Sequence, residues 1–127
     1  NISEMGITDP LGNYLRSLEK IGRLDIRLAL PGHRRIMHDV YRRIDELKKH
    51  HDNRLKEVLQ ILRNGPANAY QVAALMTWDF AKSWDQFPLE QKWFAAGEAI
   101  AHLLYLYNIN RLSIVNKSDI LYFSLID

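Results

Sequence analysis

A mainly α fold closed by a small β hairpin is predicted for this 127-residue chain on three observations. A mostly apolar seam runs Val40, Ile44, Leu47, His51, Leu55, Val58, Leu62 in steps of three or four, as one face of a long amphipathic helix requires. A second long run, opened by Pro88 and reaching Asn108, is dominated by Ala, Leu, Trp and Phe. Residues 112–115 and 120–125 are β-like and flank Asn116, Lys117, Ser118 and Asp119, a cluster of turn formers.

The elements follow in order. Asp9 can cap free backbone N–H groups and Pro10 is tolerated at the first helical position, so a helix is predicted to start there. It carries Leu11, Tyr14, Leu15, Leu18 and Ile21 on one face until Gly22. Residues 26–30 read as a short strand ended by Pro31 and Gly32, which leaves a lone strand in need of a sheet. The long helix is expected from about residue 38 to 63, with Arg42, Arg43, Asp45, Lys49 and Lys56 on its solvated side. Asn64, Gly65 and Pro66 end it. Asn68 can then cap a short helix burying Ala69, Val72, Ala73 and Met76, followed by an aromatic-rich loop over 78–87. The helix over 89–108 holds Glu90, Lys92 and Glu98 among apolar residues and is expected to be buried on most sides. Three helices and then a two-stranded wing is winged-helix order.

Composition removes several function classes. Seventeen Lys and Arg against fifteen Asp and Glu give a net charge of +2, too weak a balance to imply a nucleic-acid or anionic-membrane partner. The absence of cysteine excludes disulfides, thiolate metal sites and cysteine nucleophiles from this chain. No apolar run approaches the roughly 20 residues of a membrane span. No basic-then-apolar leader follows Asn1, so no signal peptide is visible and a cytoplasmic setting is expected. No Gly-rich phosphate loop or Ser-centred nucleophile elbow is present.

Histidines supply the candidate site. His50 and His51 are adjacent and would point about 100° apart on a helix, a poor arrangement for sharing one metal. His51 falls in the apolar seam, where a hydrogen-bonded core or interface imidazole is expected. Glu46 with His50, and Glu98 with His102, are spaced four apart and could each chelate from one helix face, although two ligands do not make a site. A helix hydrogen bond is the simpler reading of both pairs. His38 reads as a helix-start surface residue. His33 follows the strand and the Pro-Gly turn, at the carboxyl end of a strand, where ligand groups collect in α/β layers, although a single imidazole taken alone is more often a turn residue than a ligand. The aromatic set Trp78, Trp84, Trp93, Tyr105 and Tyr107 reads as core or contact surface.

The segment from Asp9 to Leu18, then Leu30, Pro31, Gly32 and His33, resembles the last helix and strand of metallo-β-lactamase-fold hydrolases. The run from His50 to Leu55 followed by Asn64, Gly65 and Pro66 looks like the appended helical region of one branch, and the run from Gly97 to Leu103 is similar to that branch's carboxyl-terminal winged-helix-like domain. The resemblance implies that residues 1–37 are a remnant of an αββα catalytic domain and 38–127 the appended domain. It implies that the chain is the carboxyl-terminal fragment of a metal-dependent hydrolase acting on an ester, thioester, lactone or phosphodiester. His33 alone takes over a metal role, as the last ligand of a dinuclear zinc centre in the intact enzyme. The family's His-x-His-x-Asp-His signature is absent from this chain, and Arg34 and Arg35 follow His33 where many relatives have Gly-Pro. The fragment is therefore expected to hold no zinc and to be inactive, with the missing N-terminal catalytic domain as its partner. His50, His51, Glu98 and His102 are the expected cleft or interdomain contacts. The unpaired strand implies a homo-oligomer. Two alternatives stand beside this reading: a free-standing winged-helix module for nucleic acid, which the apolar character of the 89–108 helix disfavours, and a protein-interaction module using the long helix.

Overall fold

The computed structural model describes residues 8–23 and 34–126, with side chains in the second stretch described from Asp39 onward. The first helix, α1 (Pro10–Arg23), begins as its sequence requires. Asp9 is its cap: its Oδ1 accepts the Gly12 N–H at 3.0 Å and its carbonyl accepts the Asn13 N–H at 3.0 Å. Only glycine fits beneath this cap, because a Cβ on Gly12 would overlap Asp9 Oδ2. Gly12→Ala is therefore expected to destabilise the chain by about 1 kcal/mol, through a displaced cap. In an Asp9→Ala background the same change should stabilise instead, since alanine is the better helix former. Urea denaturation of the four chains reads this reversal of sign.

The long helix α2 (Arg34–Leu62) begins four residues earlier than the apolar seam suggested, so the backbone of His38 lies in its second turn and not at its start. The predicted strand over 26–30 and His33 lie outside the described residues. Ile44, Val58 and Leu62 are buried along the seam, while Arg42 and Arg43 pair with Asp39 and Glu46 on the exposed side. Such exposed pairs each contribute only a few tenths of a kcal/mol. Gly65, at φ 128°, turns the chain out of α2 in a conformation that favours glycine.

Asn68 caps α3 (Ala69–Leu75) as predicted. Its side chain accepts the Gln71 N–H at 2.8 Å, while the Gln71 side chain accepts the Asn68 N–H at 2.9 Å, a reciprocal capping box. A 3-10 turn (Trp84–Gln86) interrupts the aromatic loop before α4 (Leu89–Asn108). The end of α4 is closed by two bonds: Arg111 N–H to the Leu106 carbonyl at 2.8 Å and Asn110 N–H to Tyr107 at 3.0 Å. Asn110 adopts φ 64°, so an Asn fills the left-handed position usually taken by Gly.

The carboxyl end differs from the predicted two-stranded wing. Strands β2 (Leu112–Lys117) and β3 (Ile120–Leu125) pair antiparallel, and a third strand, β1 (Ala67–Asn68), adds to the far side of β3 in the order β1-β3-β2. Ala67 faces Phe123 and Asn68 faces Tyr122. A two-residue strand is too short for any alternation to reveal it in sequence. The turn is also tighter than predicted: Asn116 and Lys117 continue β2, leaving only Ser118 and Asp119, both at positive φ, as required where two residues must follow the strand twist.

The core gathers Val58 and Leu62 of α2, Val72 and Ala73 of α3, Ala95, Ala99, Leu103 and Leu106 of α4, and Leu112 and Phe123 of the sheet. Trp78, Trp84 and Tyr107 pack against it, part-buried, as the aromatic set was expected to do. The start of α4 corrects one expectation. Leu89, Trp93 and Phe94 are exposed, because the core covers only the side carrying Ala95, Ala99 and Leu103.

Candidate functional site

Two helices, α2 and α4, bring three of the predicted histidines together, and α1 adds a tyrosine. His51 lies at the middle of α2, with Tyr14 of α1 edge-on to its ring at 5.4 Å and His102 of α4 on another side at 5.5 Å. His102 is 1% exposed, the only buried polar residue among those described. Its Nδ1 lies 2.7 Å from the backbone carbonyl of Glu98, which can only accept, so Nδ1 carries the proton. The Nε2 of neutral His102 is then an unprotonated acceptor, 3.4 Å from His51 Nδ1. That separation is long for a hydrogen bond, and it orients His51 with Nδ1 as the donor.

Glu98 thus meets His102 through its carbonyl and not through a carboxylate held beside the ring for chelation. Glu46 is engaged by Arg42 and Arg43, and His50 is exposed, with its ring edge-on to His51 at 5.3 Å. Of the predicted residues, the structure brings His50, His51, Glu98 and His102 into one chain of contacts.

Burial is the largest cause lowering the His51 pKa, followed by repulsion from His102 and His50, with Glu98 opposing. For His102 burial again dominates, and the Glu98 carbonyl opposes it. Both rings are therefore neutral at pH 7. A cleft of about 490 Å³ opens beside them, walled by Leu15 and Glu19 of α1, Lys48, His51 and Leu55 of α2, and Tyr105 of α4. An ion pair between Lys48 and Glu19 ties its α1 and α2 walls and holds the Glu19 carboxyl below its usual range.

Below the cleft is a polar staple that sequence reading missed. Arg54 donates to the Thr77 carbonyl at 2.6 Å and to Glu57 at 3.0 Å, while its guanidinium lies over the Trp78 ring at 4.6 Å. Glu57 in turn accepts the Thr77 N–H at 2.5 Å, so α2 holds the segment that leaves α3. The i,i+3 spacing of Arg54 and Glu57 was the available signal, but their common partner is 20 or more residues away.

Two imidazole nitrogens without a third ligand do not make a zinc centre, and among the described residues no group of three or more His, Asp or Glu could hold a metal. The described residues therefore do not fit a dinuclear site.

A family profile described as metallo-beta-lactamase-like, C-terminal domain, matches residues 55–125, more than half of the chain. The chain belongs to this family. The metallo-beta-lactamase-like C-terminal domain superposes on a beta-lactamase domain protein from Burkholderia ambifaria with a TM-score of 0.72 and 25% identity, covering 94% of this chain and 34% of that protein. A metallo-beta-lactamase family protein from Thermus thermophilus gives a TM-score of 0.61 and 28% identity over 91% of this chain and 34% of its own. This metallo-beta-lactamase-like chain thus spans about a third of the length of either relative, 34%. No curated protein matches it. No helix among the described residues is long and apolar enough to cross a membrane.

Proposed function

We propose that this chain is the carboxyl-terminal part of a cytoplasmic, metal-dependent hydrolase whose substrates are esters, thioesters, lactones or phosphodiesters. In this reading residues 1–37 complete the catalytic domain and 38–127 form a winged-helix-like appendage. The order α2, α3, α4 and then a hairpin supports the latter, with β1 as an added edge. The observation that carries the proposal is the family match over 55–125, joined to relatives of which this chain is only 34%.

Within the whole protein, His33 supplies one ligand to a dinuclear zinc centre whose other ligands come from the missing N-terminal catalytic domain. The role of the described residues is positional. Tyr14, His51 and His102 join α1, the last helix of the catalytic part, to α2 and α4 of the appendage. The helical domain forms one wall of the active-site cleft or a dimer surface in this reading, and the pocket that opens between α1, α2 and α4 supports it.

The test compares this chain with the gene product extended upstream of Asn1, each incubated with Zn²⁺ and offered an ester, a thioester, a lactone and a bis-phosphodiester. The extended protein should bind zinc by elemental analysis and turn over at least one substrate, and His33→Ala should lower both readouts. The 127-residue chain should do neither. Zinc-dependent turnover by the short chain, or an upstream sequence without the His-x-His-x-Asp-His cluster, would overturn the reading.

A further inference from the structure

The first turns of α4 carry a surface that neither the fold nor the proposed function uses. Leu89 is 76% exposed, Trp93 81% and Phe94 66%, and together with Glu90 they line an open groove of about 430 Å³. From the usual areas of such side chains, the three leave roughly 450 Å² of apolar surface in water. That is as large as the largest patch expected on a typical monomer, where such patches are often functional.

We propose that this face pairs two copies of the chain, α4 against α4 across a twofold axis. Charge is the first argument. Glu90 is the only charged residue lining the groove, and Lys92 beside it is drawn over the Trp84 ring at 5.7 Å. A face so poor in charge has the composition of a homodimer core, and it offers no basic side chain to a phosphate.

Shape is the second argument. Trp93 stands one helical turn before Gly97, which is exposed and has open space where a Cβ would be. A twofold axis between these positions seats each Trp93 over the other copy's Gly97, so one patch serves as both knob and hole. Area is the third. Six such side chains give roughly 900 Å², and the polar rim around them brings the total to about 1,200 Å², the lower bound for a specific interface. The pairing is accordingly expected to be of about micromolar strength. It is separate from any association through residues 26–30.

Sedimentation velocity on the 127-residue chain, from about 5 to 200 μM, tests this. The mass should rise from that of the 14.9 kDa chain to twice that value, with Trp93 becoming less accessible to acrylamide as it rises. Trp93→Ser should remain monomeric throughout with an unchanged helical circular dichroism spectrum. Gly97→Leu, placed where nothing obstructs a side chain, should fold and also remain monomeric; it carries the test alone if Trp93→Ser does not fold. A wild-type monomer at every concentration overturns the proposal, whether the patch stays bare or is covered only in the longer protein. A dimer that survives Gly97→Leu overturns it too, and points to another surface such as 26–30.

Discussion

Phe123→Ala is expected to lower the free energy of unfolding by about 3–5 kcal/mol, the range for removing a large buried aromatic ring. Phe123 is fully buried on the middle strand, β3, opposite Ala67 on one side and Ile114 on the other. Its ring is where the sheet joins the core formed by α2, α3 and α4. A loss of this size takes most of the stability of a small domain. Partial collapse around alanine would be limited, because both neighbouring strands are fixed by ladder bonds. Guanidinium denaturation checks the figure, and a loss below about 1 kcal/mol would show that the sheet does not share the helical core.

Acidification is expected to unfold the chain earlier than its carboxylates alone would require. The sign follows from the two imidazoles, whose folded pKa values lie below the ordinary histidine range through burial first, with repulsion from His102 adding to it at His51. The unfolded chain protonates at about pH 6.5. Below that value the unfolded state binds more protons, so stability is complete above it and declines as the pH falls through the lower folded values. His102 is buried and His51 half-buried, so water screens His51 more. Protonation would also set imidazolium against imidazolium, with His50 and Arg54 adding positive charge and only Glu98 opposing. Tyr14 of α1 lies edge-on to His51, and Tyr105 of α4 lines the same cleft. The thermal midpoint should fall by about 5 °C or more between pH 7.5 and pH 5. His102→Leu should flatten that slope, having no imidazole to titrate at the buried position. Glu19 does not confuse the window: its lowered pKa gives stability that is lost only in the carboxylate range, as pH falls through the folded value. Parallel slopes in wild type and His102→Leu would refute the assignment.

Those histidines also show what a sequence can and cannot disclose. The seam placed His51 on the inner face of α2, and the caps at Asp9 and Asn68 located two helix starts, because each rests on contacts within a few residues. The meeting of His51 with His102 joins positions 51 apart, which no periodicity encodes. Spacing suggested a Glu98 carboxylate for His102, whereas the helix supplies a carbonyl at the same offset of four. The exposed start of α4 was hidden for a related reason. Its composition is that of a buried helix, and only the position of the remaining elements reveals that nothing among the described residues covers Trp93.

One residue has an effect beyond its own turn. Asn68 is at once a rung of the sheet, opposite Tyr122, and the stopper on the first turn of α3. Peeling the hairpin away would unfasten the helix in the same movement, and fraying the helix would loosen the hairpin's edge. The amide protons of both should therefore exchange with solvent on a common clock, so that the carboxyl-terminal half opens as a single hinged body and not strand by strand.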